Sequence, residues 1–311
     1  MGVFIVKRIL ITVPILLAVS FLTFVLISFS PMEPAEAILR AQEVPVITDE
    51  LIEQTNEKLG LNKPFIIQYI DWLMDCLQLD FGDSYVKNES VWQLVGPSFF
   101  NTLKLTVVSS LVIILFSVLL GVICALQEGK IIDRILRTVL FVLTAVPTYW
   151  LGAILILFFS VKLDLLPTSG MSGMKSYILP VIATSLGYIG IYFRTIRSAM
   201  LNNLNEDYVI YGRSSGLSEK KITMHILRNS LQVSISIFCM SIPIILGGTV
   251  VVENVFAWPG IGSLSIEAIL SRDFPVIQAY VLIVAVAFVI FNMISDILNA
   301  ALNPRIRNDN S

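Results

Sequence analysis

Charge is scarce in this sequence. Asp, Glu, Lys and Arg make up 14% of its 311 residues and apolar side chains 56%, with a mean hydropathy of +0.82. Soluble domains carry about 25% charged residues, so an ordinary soluble surface is excluded and a polytopic membrane protein is indicated. Histidine occurs once, as His225, near Arg228. Alone in a polar stretch, it reads as a solvated or carbonyl-bonded side chain rather than a metal ligand or base. The three cysteines, Cys76, Cys124 and Cys239, lack metal-ligand spacing and form no expected disulfide framework. No Gly-x-x-x-x-Gly-Lys-Ser/Thr run is present, so the chain itself is not expected to bind ATP. Ser109-Ser110 and Ser214-Ser215 have no histidine and carboxylate set near them in sequence. No catalytic residue and no metal site is assigned, and the scattered methionines read as core filler.

What is present is a series of six apolar segments, at about 9 to 29, 103 to 126, 136 to 160, 177 to 193, 231 to 252 and 276 to 299. Each approaches the roughly 20 residues that a helix needs to cross the hydrocarbon. The fold class predicted is therefore an all-α membrane protein with six transmembrane helices. Gly187 and Gly190 in the short fourth segment point to close helix packing. Pro14, Pro147 and Pro243 lie inside spans, where kinks are expected. Lys7 and Arg8 ahead of the first span, with Ala35-Glu36-Ala37 after it, imitate a signal peptide. An apolar run of about 21 residues exceeds the usual h-region of 7 to 15, so an uncleaved first helix is expected.

Orientation follows from the basic residues. With the N-terminus inside, thirteen of twenty-one fall on the cytoplasmic side: Lys7, Arg8, Lys130, Arg134, Arg137, Arg194, Arg197, Arg213, Lys220, Lys221, Arg228, Arg305 and Arg307. Both termini are thus expected in the cytoplasm. The organisation that results is a first helix at 1–30, an extracytoplasmic helical insertion at 31–100, a five-helix core at 101–305 with a cytoplasmic loop at 194–230, and a tail at 306–311.

The insertion holds twelve acidic and four basic residues. Thr48 is placed to cap a helix that begins with Asp49 and Glu50 and ends at Gly60. Pro64 opens a second helix whose Phe65, Ile66, Tyr69, Ile70, Trp72 and Leu73 suit a membrane interface. In the long polar gap at 194–230, Asn205 can cap a ten-residue helix from Glu206 to Ser215, about 15 Å long. Glu206 and Asp207 suit the positive end of its dipole. Gly216 can supply its left-handed terminus, and Ser218 can cap the next helix. After the fifth span, Glu253, Phe256, Trp258, Pro259, Gly260, Gly262 and Asp273 read as an outer loop with an interfacial aromatic pair and a Pro-Gly turn.

These strings carry a family resemblance. Asp207-Tyr208-Val209, Tyr211, Arg213, Gly216, Leu217 and the run from His225 to Asn229 resemble the cytoplasmic coupling loop of ABC-importer permeases. Leu-Gly-Leu-Asn-Lys-Pro at 59 to 64 and Leu-Asp-Phe-Gly-Asp-Ser-Tyr at 79 to 85 resemble the B-type permease of the dipeptide, oligopeptide and nickel importers. So does the string Glu253-Asn-Val-Phe256-Ala-Trp258-Pro259-Gly260-Ile-Gly262, with Arg272-Asp273-Phe274-Pro275 and Asn303-Pro304-Arg305. The resemblance covers essentially the whole chain and is strongest from about 177 to 305.

The resemblance implies a coupling helix seated in a groove on an ATPase, with Glu206, Asp207, Tyr208, Val209, Tyr211, Arg213, Gly216 and Leu217 at the contact. It implies a heterodimer with a C-type permease, two ATP-binding subunits that carry ATP and Mg, an extracytoplasmic solute-binding protein docked on 31–100 and 253–275, and a bacterial cytoplasmic membrane. No cofactor is expected on this chain, and no nucleic acid. Tyr211-Gly212 and Ser214-Ser215 depart from the family's small and second basic residues around the arginine. A Gly inside so short a helix costs about 1 kcal/mol, so the coupling helix is expected to order only against its ATPase.

Ion-coupled secondary transport is the competing class. It would place ionisable residues inside the spans, since such charges are costly there and kept for function. The span interiors here read as almost free of charge, with Asp296 near the end of the last span as the nearest exception. The wording at 225 to 243 is similar to the nickel and opine-metallophore branch, which implies a metal chelate as cargo. Di- and oligopeptides are the alternative.

Overall fold

Inside a bilayer every backbone polar group must be paired within its own segment, and the helix does this locally. The computed structural model describes residues 2–29, 34–41, 44–58 and 60–302. Among these there is no strand, only an isolated bridge between Asp83 and Ser90. Residue 59, the expected Asn303-Pro304-Arg305 motif and the tail at 306–311 lie outside the described residues.

The helices are α1 Gly2–Ser28, α2 Pro34–Ala41, α3 Asp49–Lys58, α4 Phe65–Leu77, α5 Val91–Leu126, α6 Ile131–Ala145, α7 Thr148–Leu155, α8 Ile178–Leu204, α9 Asp207–Ser214, α10 Glu219–Val255, α11 Ile261–Ser271 and α12 Phe274–Leu302. A π-helical turn, Ile156–Lys162, prolongs α7, and a 3-10 turn, Met174–Tyr177, leads into α8. Among the described residues, five stretches are long and apolar enough to cross a membrane: Leu10–Ser28, Val91–Leu126, Met174–Leu204, Ile237–Val255 and Phe274–Leu298. A sixth is obtained if the bent pair Ile131–Ala145 and Thr148–Lys162 is one span.

That pair covers the third expected span, with its expected kink at Pro147. The chain bends there by 104°. Pro147 has no N–H to continue the ladder and disfavours helical geometry in the residue before it; Val146 accordingly sits at φ -77°, ψ 126°. Pro14 and Pro243, by contrast, lie within continuous helices. The fourth segment is also longer than expected, since α8 runs on to Leu204. The fifth helix continues to Val255, which places Glu253 inside a helix rather than in a loop; Pro259 and Gly260 remain outside helix, and 261–271 is helical rather than loop.

The chain divides into two compact units, one of Met1–Asn101 with Pro259–Val289 and the other of Thr102–Trp258 with Ile290–Ser311. In the first, Thr48 caps α3 through its hydroxyl to Leu51 N at 3.3 Å. The aromatic side of α4 packs on α1. Phe65, Tyr69 and Trp72 stack on Phe24, with Phe65 and Tyr69 also against Phe21, at centroid distances of 5.2 to 6.1 Å, while Ile66, Ile70 and Met74 are exposed. A core of Cys76, Phe81, Val91, Val95, Ile261, Ala268, Val276 and Ala279 joins α4, α5, α11 and α12.

In the second unit α8 packs on α6, α7 and α10. Gly190 lets α6 approach so closely that an added Cβ would lie 2.8 Å from Leu140 O, whereas the space beside Gly187 is open. The close-packing expectation therefore holds for one glycine of the two. One cluster, with Ile113, Cys124, Leu140, Ile189, Tyr192, Phe193, Phe238 and Ile245, fills the centre. A second gathers Leu105, Leu179, Val252, Phe256 and Trp258 toward one end, and a third gathers Ala125, Ile196, Met200, Val209, Ile222 and Ile226 beneath α9.

Candidate coupling site

An isolated helix as short as α9 is marginal in water, so its order must come from packing. Val209 provides it. The side chain is fully buried in the cluster formed with the last turn of α5, the end of α8 and the first turns of α10. Burying a valine contributes about 1.5 to 3 kcal/mol. Val209 is the anchor of α9 within this chain. Gly212 is buried as well, with Leu217 and Ile222 at the distance of ordinary contact from where a Cβ would be. A small residue there lets α9 lie close to α10, which offsets the helix-propensity cost.

The bounds of α9 are narrower than expected, Asp207–Ser214, with Glu206 in the capping position. Asn205 does not cap; its amide donates back to Leu201 O at 3.5 Å as α8 ends. Gly216 has φ +75°, the left-handed residue expected, and Leu217 N donates to Gly212 O at 3.0 Å to close the turn. Ser218 occupies the capping position of α10 without a side-chain bond. Tyr208 donates its hydroxyl to Asn203 Oδ1 at 3.1 Å, and Arg213 grips Glu219 at 3.0 and 3.4 Å. With both flanks tied, the helix turns Ile210 and Tyr211 outward, 59% and 75% exposed. Glu206, Asp207 and Leu217 are also on the surface. α9 is an anchored helix presenting an apolar and aromatic tip, bordered by charge.

The remaining predicted residues are divided between the two units. In the unit that contains α9, Glu253 is fully buried in α10, accepts the hydroxyl of Thr102 at 2.6 Å and that of Thr249 at 3.1 Å, and accepts Trp258 N–H at its backbone oxygen at 2.8 Å. Phe256 and Trp258 are buried, the latter edge-on to Tyr177 at 4.6 Å. The interfacial aromatic pair expected from sequence is therefore a core pair. Burial of both faces of the indole wins over interfacial placement because Tyr177 and the α10 end enclose it.

In the other unit Pro259 O accepts Asn101 Nδ2 at 3.0 Å, Gly260 caps α11, and Gly262 is buried in its first turn. Asp273 is buried and accepts from Ser84 Oγ and from Tyr85 N–H. Burial first, and then the Asp273 charge, push the Tyr85 hydroxyl up to about 12. The same unit has a cavity of about 920 Å³ lined in part by Asp71, Asp75, Asp80, Asp83, Trp72 and Gln278.

Sequence reasoning missed one pairing. Asp133, in the first turn of α6, is fully buried, and Arg197 of α8 holds it with both arms at 2.8 and 2.9 Å. The signal was a single aspartate amid Lys130, Arg134 and Arg137. Arg197 was counted only for its charge.

Membrane-length apolar helices joined through a short anchored helix with an exposed tip define a multi-pass membrane protein. The chain belongs to the family described as binding-protein-dependent transport system inner membrane component, which matches residues 117–308, with the N-terminal part of such components matching residues 1–106. It is the permease subunit of an ABC importer, and ion-coupled secondary transport is set aside. It is 55% identical over 304 residues, 98% of each chain, to the metal-staphylopine import system permease protein CntB of Staphylococcus aureus strain NCTC 8325. It is 37% identical over 318 residues to the oligopeptide transport system permease protein AppB of Bacillus subtilis strain 168, covering 98% of this chain and 99% of that one. Among solved structures, the methionine ABC transporter MetNI in inward-facing conformations has a TM-score of 0.58 at 16% identity, covering 68% of this chain and 97% of that one. That likeness concerns the fold.

Proposed function

We propose that this chain is the B-type permease of a bacterial importer that carries nickel, cobalt or a similar transition metal as a chelate. The observation that carries the reading is the 55% identity, end to end, with a metal-staphylopine permease, against 37% with an oligopeptide permease. The membrane is the bacterial cytoplasmic membrane and both termini are cytoplasmic, as the thirteen basic residues on that side support. The chain pairs with a related C-type permease, and the two cores line the path. Residues 31–100 and 253–275 face outward and receive the solute-binding protein.

Two ATPase subunits supply the energy, with ATP and Mg held on them. One seats α9 in a surface groove. Ile210 and Tyr211 enter the groove, Glu206 and Asp207 border it, and Val209 transmits the push to α5, α8 and α10. The Arg213–Glu219 pair and the left-handed turn at Gly216 fix the angle between α9 and α10. The deciding experiment is ATP-dependent uptake of nickel and cobalt, free and chelated by histidine or an opine metallophore, in cells with and without the gene. Loss of chelate uptake that excess peptide does not inhibit is the expected result. Unchanged metal content with lost di- and tripeptide uptake would make the cargo a peptide instead.

A further inference from the structure

We infer that the ion pair between Asp133 and Arg197 is a rigid joint that carries displacement of α9 through α8 into α6, and so makes these two the positioning residues of the coupling step. The inference rests on the reading that α9 docks on an ATPase.

The geometry is specific. Arg197 presents Nε and Nη2 to the two oxygens of one carboxylate, at 2.8 and 2.9 Å. Gly129 N–H adds a bond at 3.1 Å and Arg137 Nε lies 3.3 Å away, so the turn between α5 and α6 and the first turns of α6 converge on the same carboxylate. Asp133 is 0% exposed and the Arg197 side chain 16%. A bidentate guanidinium fixes orientation as well as distance. Helices in contact only through apolar side chains can slide by small shear steps; a pair of parallel charged bonds blocks that sliding.

The joint also sits where a load would pass. Ile196, the neighbour of Arg197, belongs to the cluster that buries Val209 of α9. Across from it Gly121 of α5 lies so near that an added Cβ would be 3.4 Å from Arg197 N. One turn of α8 is therefore seated against α9's anchor and bolted to α6. Beyond the joint, α6 touches α8 again where Gly190 meets Leu140, then turns at Pro147 into α7, whose Gly152 packs on Val255 and Phe256. Motion that enters at Val209 thus has two routes to the buried Phe256 end, one along α10 itself and one through α8 and α6, and the ion pair stiffens the second.

The test uses the complete importer in proteoliposomes, with cargo transported and ATP hydrolysed measured together and thermal stability followed in parallel. Arg197→Lys keeps the charge and removes the fork; Asp133→Asn with Arg197→Gln removes both charges, so that no lone buried charge remains to unfold the chain. Benzoylphenylalanine at position 211 reports ATPase docking by photocross-linking. Expected for both variants is an intact cross-link, a melting temperature near that of the unmodified complex, and at least a tenfold fall in cargo moved per ATP. A normal ratio in Arg197→Lys and in the double variant with the cross-link retained would overturn the inference alone. Loss of uptake in strict proportion to lost assembly would reduce the pair to a structural one and also overturn it. No cross-link in the unmodified complex would overturn the docking reading, and this inference with it.

Discussion

Ser84 donates its hydroxyl to Asp273, a partner 189 positions away, while the next backbone N–H, that of Tyr85, donates to the other carboxylate oxygen at 3.0 Å. The string around 79 to 85 and the string around 272 to 275 were read as separate family features. They form one clamp inside the unit of Met1–Asn101 with Pro259–Val289. Arg272, at φ +58°, delivers the carboxylate from the end of α11.

Replacing Asp273 with Ala leaves the Ser84 hydroxyl and the Tyr85 N–H buried without their acceptor, at about 1 to 3 kcal/mol each. Thermal unfolding in detergent should fall accordingly, and proteolysis should begin near 79–90. Asp273→Asn keeps one carbonyl oxygen and should lose less. Equal losses for Ala and Asn would show that the charge, not the two bonds, matters.

Val209 and Tyr211 are two residues apart on α9 and should behave oppositely. Val209→Asp places a charge in a fully buried apolar cluster and should cost more than 3 kcal/mol or prevent assembly, because such a charge has no partner there. Tyr211→Ala, at an exposed position, should change stability by less than about 0.5 kcal/mol yet lower cargo-stimulated ATP hydrolysis several-fold. Normal stimulation in Tyr211→Ala would remove the exposed tip of α9 from the proposed contact.

Cys76 gives a pH dependence with a definite sign. Burial first, then the carboxylates of Asp75 and Asp80, push its thiol up to about 12, against about 8.5 in an unfolded chain. The raised value means that its contribution is fully present below about 8.5 and is lost as pH rises through about 12. Stability should therefore decline between those limits, less steeply in Cys76→Ala. At pH 8.5 alkylation of Cys76, mapped by mass spectrometry, should be at least about 100-fold slower in the folded than in the denatured chain, since only the thiolate reacts. Comparable rates would show that the thiol is neither buried nor near those carboxylates.

Much of the fold was legible because the bilayer imposes a length and a polarity on every crossing. Five of the six apolar segments lie on unbroken helical stretches and the third is interrupted only at Val146-Pro147, while Thr48, Gly60, Pro64 and Gly216 bound the shorter helices as their chemistry requires. Composition cannot say how far a helix runs beyond the hydrocarbon. α8 and α10 extend to Leu204 and back to Glu219 on polar residues, and these extensions carry the seat of α9. Nor could it separate the three internal prolines, since only at Pro147 does the chain leave the helix.

By itself the sequence determined the class of this protein, an all-helical membrane permease with a short polar helix between two long ones, because hydropathy and turn chemistry are local properties. Tertiary structure alone decided what each polar residue inside it does. Glu253, read as part of a loop, is a buried carboxylate satisfied by Thr102 and Thr249; Trp258, read as an interfacial anchor, is core; Asp133, read as nothing, is the partner of Arg197. Pairings between residues 64 to 189 positions apart depend on which helix faces come together, and no local pattern encodes that.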